Sequence, residues 1–187
     1  ITYVLYGQPV GYTYTDLDLR TFQTGSLGLR ILGPETDANL GSSLSGPSGG
    51  PLSAGVPSLL IGAFTTARNG VAAVGSAFLI HGKSSSSSPW TVDLDLASPL
   101  PITRGTRING YVGGYRVGTA VANVGDVSGD TVDDYVLGAP MASMLGRSAS
   151  GVAYLLIGET PDPTALPTAA PSNAPSVNPT HTPTVFP

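Results

Sequence analysis

The sequence predicts an all-β chain, and three observations carry that expectation: a turn-rich, charge-poor composition, short segments of period-two alternation, and a tandem repeat. Gly at 25 and Pro at 17 of 187 residues exceed ordinary usage, only 11% of residues are charged, and the apolar residues lean to Val, Leu, Ile and Tyr. Turn formers therefore separate residues that suit a pleated surface. Thr91-Val92-Asp93-Leu94-Asp95-Leu96 alternates with period two, whereas no long 3.6-period stripe with helix caps occurs. The length is enough to bury a core in one large or two small domains.

The same composition argues against several functions. A formal charge of −4 with 8 scattered Lys and Arg leaves no basic patch for a phosphate backbone. No apolar run approaches the ~20 residues that cross a bilayer, and no charged-then-apolar leader stands at the start. The chain opens on Ile1, as a processed or excerpted chain would. Zero cysteines exclude a disulfide scaffold and thiol chemistry without fixing the compartment.

Along the chain, Thr2-Tyr3-Val4-Leu5-Tyr6-Gly7 recurs as Ala77-Phe78-Leu79-Ile80-His81-Gly82 and as Ala153-Tyr154-Leu155-Leu156-Ile157-Gly158. Asp16-Leu17-Asp18-Leu19 returns as Asp93-Leu94-Asp95-Leu96. Asn39-Leu40-Gly41-Ser42-Ser43-Leu44 matches Arg116-Val117-Gly118-Thr119-Ala120-Val121, and Leu60-Ile61-Gly62-Ala63 matches Val136-Leu137-Gly138-Ala139. Each unit holds several short strands, as a propeller blade of about four strands does. The expected organisation is a closing strand of a preceding blade at 1–7, one blade at 8–82, a second at 83–158, and a tail at 159–187. Two blades do not close a ring of the usual 4–8, so further blades of a longer chain or other copies of this chain must cover the exposed faces. Strand addition between copies would give an open filament.

Asp126-Val127-Ser128-Gly129-Asp130-Thr131-Val132-Asp133-Asp134 is the most informative segment. Asp126, Ser128, Asp130 and Asp134 place side-chain oxygens at positions 1, 3, 5 and 9 of one short loop, and the Val132 carbonyl adds a fifth. Calcium takes six to eight such oxygens in a flexible shell, so the expected cofactor is Ca2+. An acidic β-turn is the plainer alternative. No helical flank and no glutamate at position 12 make it an EF-hand.

Followed by Tyr135-Val136-Leu137-Gly138-Ala139-Pro140, the loop resembles the FG-GAP repeat of integrin α-subunit β-propellers. Thr131 departs from the family's usual glycine and Ser128 from its usual Asn or Asp. The resemblance covers both units, strongly in the second and weakly in the first. It implies calcium-stiffened blades of an extracellular adhesive or structural protein. Opposite the calcium loop, Gly50-Pro51-Leu52-Ser53-Ala54-Gly55-Val56-Pro57-Ser58 contains no carboxylate and should bind no ion.

From Pro163 every fourth residue is proline through Pro187, and Ser or Thr follows each but the last. This composition reads as an O-glycosylated stalk in polyproline II, at ~3.1 Å per residue roughly 78 Å long. Thr164, Thr168, Ser172, Ser176, Thr180 and Thr184 are the expected acceptors, with hydroxylated prolines as the alternative. No Asn-x-Ser/Thr acceptor exists, because Pro179 follows Asn178.

Other signals read as structure. Gly46-Pro47-Ser48-Gly49-Gly50 fits a nucleophile elbow but lacks the following helix and a plausible base. The Asp16/Asp18 and Asp93/Asp95 pairs read as solvated strand faces with leucines opposite. His81 is a strand residue, His181 lies in the stalk, Ser84 to Ser88 form a loop, and Trp90 is a packing anchor. The expected function is a non-enzymatic, extracellular or cell-surface structural or adhesive glycoprotein module. It would be calcium-stabilised and fibre-forming, with itself, glycans or matrix proteins as partners. A lectin-like propeller and the non-catalytic repeat region of a secreted hydrolase are the alternatives.

Overall fold

A computed structural model describes residues 1–8, 10–11, 16–47, 57–82 and 90–158. The tail and its six acceptors, most of the Gly50 to Ser58 loop, the Ser84 to Ser88 run, Ser48 to Gly50 of the elbow-like segment, and His181 lie outside those residues.

The described chain is all-β, with ten strands: β1 (Thr2–Leu5), β2 (Gly28–Leu32), β3 (Ser43–Ser45), β4 (Ser58–Ala63), β5 (Ser76–His81), β6 (Leu94–Asp95), β7 (Gly105–Asn109), β8 (Ala120–Gly125), β9 (Asp134–Ala139) and β10 (Val152–Leu156). They form three sheets in the orders β1-β2-β6, β3-β4-β5-β7 and β10-β9-β8. Every pairing is antiparallel except that of β6 with β2.

The four-stranded sheet is packed on both faces. Ile61, Phe78 and Ile80 face Leu29 and Ile31 of the first sheet, with Trp90, Leu94 and Leu96 in the same cluster. Leu60 and Ala77 face the other way, against Tyr135, Leu137 and Ala139 of the third sheet. Double coverage explains why β4 reads Leu-Leu-Ile-Gly-Ala without polar alternation, whereas β10 alternates half-buried and exposed residues.

The internal repeat is visible in the backbone. Asn39 and Arg116 both hold left-handed φ, 51° and 58°, and Gly41 and Gly118 follow at 91° and 86°. The Gly41 amide donates to the Gly62 carbonyl and the Gly118 amide to that of Gly138, each at 3.0 Å. Asn69, Gly70, Ala73 and Gly75 have φ of 52°, 78°, 52° and 78°, and Leu145, Gly146, Ala149 and Gly151 repeat this at 54°, 75°, 46° and 77°. At Gly118 the approach between sheets is as demanding as the dihedral: a Cβ there would stand 2.3 Å from the Ser76 carbonyl oxygen.

Sheets and sequence units are out of phase. β2 lies in the stretch 8–82 yet pairs with β1, and β7 lies in 83–158 yet completes the sheet of β3, β4 and β5. The result is one four-stranded sheet, a third sheet of three strands, and a first sheet of two long strands edged by the two-residue β6. The Asp-Leu alternation forms a strand at Leu94–Asp95 only; Asp16 to Leu19 are exposed and outside any strand.

Candidate metal loop

The loop between β8 and β9 is built around two carboxylates. β8 ends in a register shift between Asn123 and Gly125, with Gly125 at a φ of 71°, which turns the chain out of the sheet. Asp126 then collects the loop's amides: its Oδ1 accepts from Gly129 N–H at 2.6 Å and Asp130 N–H at 3.0 Å, and its Oδ2 from Thr131 N–H at 2.8 Å. The Ser128 hydroxyl is 3.4 Å from Oδ1. Closing so tight a turn requires left-handed φ at Gly129, 85°, and at Thr131, 72°. Thr131 thus adopts the conformation for which a glycine is the unstrained choice. Asp130 Oδ1 accepts the Val132 amide at 2.8 Å.

Asp134, the first residue of β9, is fully buried. Its Oδ2 accepts the amides of Val127 and Ser128 at 2.9 and 2.8 Å, and its Oδ1 that of Gly158 at 2.8 Å. One carboxylate therefore joins the start of the loop to the end of the repeat. Burial pushes the Asp134 carboxyl upward, but the amides of Gly158, Ser128 and Val127 together hold it below the usual carboxylate range. For Asp126 the Thr131 amide is the largest influence, partly opposed by burial, and the Gly129 and Asp130 amides add to it, so it too is lowered.

The structure gathers Asp126, Ser128, Asp130 and Asp134 into one loop, but mainly through amides. Among the described residues, no three Asp, Glu, His or Cys side chains cluster at metal-ligand spacing. The donor chemistry nevertheless fits a hard cation. Asp126 Oδ2, Asp130 Oδ1 and Asp134 Oδ1 each accept one of the amides above, and a carboxylate oxygen has two lone pairs, so all three carboxylates keep acceptor directions.

Two further residues support the loop, and the sequence pattern assigned neither of them to it. Asn123 donates to Asp133 Oδ2 at 2.7 Å and accepts the Gly125 amide at 2.9 Å, so it braces the bulge. Gly158 closes the loop from 24 residues away, and a Cβ there would stand 2.4 Å from the Asp133 carbonyl oxygen. The repeated closing glycine was legible in the sequence; its bond to Asp134 was not.

The remaining residues fall elsewhere. Trp90 is 8% exposed within the first intersheet cluster, with the Arg104 guanidinium 4.5 Å from its ring centre, so its face is not open for stacking on a sugar. His81 is half-buried on β5, its Nδ1 3.1 Å from Ser58 Oγ. Asp93 pairs with Arg30, which with Thr24 lowers its carboxyl, while Asp95 is exposed. Among the described residues no helix is long and apolar enough to cross a membrane. No protein-family model matches the chain, and no curated protein matches it.

Proposed function

We propose that this chain is a non-catalytic structural or adhesive module that works outside the cell, built of propeller-type blades, stiffened by calcium, and assembled into fibres by strand addition between copies. The observation that carries this reading is the unequal completion of equivalent sheets. β3-β4-β5-β7 has four strands, while β10-β9-β8 ends at β10, the counterpart of β5, with no described strand in the place of β7. An edge of β10 that no described strand pairs presents main-chain donors and acceptors to an incoming strand. Extracellular glycoprotein character rests on the Pro-Thr/Ser tail and the resemblance of the calcium loop.

Asp126, Ser128, Asp130, Asp134 and the Val132 carbonyl would hold the ion. Bound calcium would supply positive charge to a loop that carries four carboxylates, Asp126, Asp130, Asp133 and Asp134. Its effect would be on stability. At 100 times the dissociation constant a ligand adds about 2.7 kcal/mol to the folded state, a rise in melting temperature of roughly 5–10 °C for a domain of this size. Calorimetry with calcium and with a chelator should show that rise, and Asp130→Ala should abolish it; equal melts with and without calcium would sink the metal assignment. Electron microscopy of the full chain should show filaments, and monodisperse particles at every concentration would refute assembly.

A further inference from the structure

β2 and β7 are equivalent outer strands, one closed by a further strand and one open among the described residues. Tyr3 stands opposite Arg30 across β1 and β2 as Phe78 stands opposite Arg107 across β5 and β7. On β2, β6 adds in parallel with Leu94 beside Ile31 and Asp95 beside Leu32. The Arg30 guanidinium donates to Asp93 through Nε at 2.9 Å and through Nη2, and the Thr24 hydroxyl donates to the other Asp93 oxygen at 2.7 Å. Phe22, buried, packs edge-on against Tyr3 with ring centres 5.5 Å apart.

On β7 each of these parts is missing. At the 77-residue offset that relates Arg30 to Arg107, Pro99 stands for Phe22 and Pro101 for Thr24. A cavity of about 420 Å³ opens there, lined by Phe78, Leu96, Leu100, Ile102 and Arg107 among others. Among the described residues Arg107 has no carboxylate partner. Its Nη2 is 3.4 Å from Ser76 Oγ, its guanidinium is 5.3 Å from the Phe78 ring centre, and its Nε is buried without a hydrogen bond. A buried donor left unmatched is a destabilising arrangement that an arriving acceptor relieves.

The chain also carries a second copy of the closing segment. Asp16-Leu17-Asp18-Leu19 repeats Asp93-Leu94-Asp95-Leu96 residue for residue. Leu94 and Leu96 are 5% and 2% exposed, whereas Leu17 and Leu19 are 40% and 46% exposed. In the chain's own third unit the corresponding stretch, Ala169-Ala170-Pro171-Ser172 at the 76-residue offset of the closing glycines, lies outside the described residues and contains no carboxylate.

We propose that Asp16 to Leu19 of one copy closes β7 of another, with Asp16 on the Arg107 guanidinium, Leu17 beside Ile108 and Asp18 beside Asn109. This rests on the fibre-forming reading and names one of its contacts. Superposing the whole sheets would lay the incoming β1 on β10, so the contact is confined to the loop. Its area falls below the roughly 1,200 Å² of stable interfaces, and the single contact is correspondingly weak. Donor and acceptor are different surfaces, so the contact is head-to-tail and propagates.

The test titrates the full chain into a labelled peptide of residues 14–22 and follows fluorescence anisotropy. Saturable binding is expected, weakened roughly tenfold or more by Arg107→Gln in the protein and by Asp16→Asn in the peptide. The peptide variant leaves the protein untouched, so it decides the matter even if Arg107→Gln fails to fold. No binding at millimolar concentration, or binding indifferent to both changes, overturns the contact. So does binding that appears only after residues 159–187 are removed, because the occupant is then the chain's own tail. Peptide binding by a chain that never polymerises supports the contact and refutes the fibre; filaments that persist in an Asp16→Asn, Arg107→Gln chain refute the contact and leave the fibre standing.

Discussion

β4 and β9 begin at equivalent points, Ser58 and Asp134, and the two starts are secured differently. In the first unit the closing Gly82 donates its amide to the Pro57 carbonyl at 2.8 Å, and Ser58 meets His81 Nδ1 at 3.1 Å. In the second, the closing Gly158 donates instead to the Asp134 side chain at 2.8 Å, and the same carboxylate takes the amides of Val127 and Ser128. The first closure uses a backbone carbonyl and no carboxylate. The second couples the end of the repeat to a charged loop, so whatever perturbs the loop is felt at the strand that ends the unit.

The largest break of this contrast is Asp134→Ala, which leaves three amides without acceptors; the melting temperature should fall by roughly 10 °C or more. Asp134→Asn, which retains one oxygen, should cost less. Ser58→Ala removes hydroxyl bonds to His81 and Tyr135 but strands no cluster of amides, and should lower the melt by only roughly 2–6 °C. Equal losses at Ser58 and Asp134, measured by scanning calorimetry, would show the two closures to be energetically alike.

Acid sharpens the same difference. Asp126 and Asp134 are both lowered in the folded state, so their stabilisation is fully present above the unfolded value of about 3.9 and is lost as pH falls through the lower folded values. A melt-versus-pH series should therefore decline below about pH 4. Asp134→Asn should flatten part of that decline, and the contribution of Asp93, lowered chiefly by Arg30, should remain. An acid limb identical in wild type and variant would contradict a special role for Asp134.

The smallest effect concerns the turns after β4 and β9. Asn69 and Leu145 hold the same left-handed φ, 52° and 54°, but asparagine tolerates that conformation better than leucine. Leu145 is 87% exposed and gives up little burial on replacement. Leu145→Asn should stabilise by about 1 kcal/mol in urea unfolding, and Asn69→Leu should destabilise similarly; opposite signs would mean that Leu145 makes a contact beyond its turn.

Much of this was legible in the residues. Repeated glycines at 41 and 118, and at 62 and 138, gave the register of the two units because close approach and left-handed turns tolerate few other residues. The spacing of Asp126, Asp130 and Asp134 identified the loop. Its amide network was not legible, because backbone donors carry no residue signature. The Asp-Leu alternation was legible as a strand pattern, yet only one of its two copies forms a strand, since pairing depends on a neighbouring edge that lies far off in sequence.

The sequence by itself determined the all-β class, the repeat and the one acidic loop, since these follow from local chemistry: turn residues, period-two alternation and oxygen donors at fixed spacing. Only the tertiary structure decided which strand joins which sheet. β2 and β7 each leave their own sequence unit, Asp93 finds Arg30 across 63 residues, and Arg107 finds no such acid among the described residues. The physical reason is that a strand's partner and a charge's counter-ion are fixed by burial and edge pairing between distant segments, which no window of the chain contains.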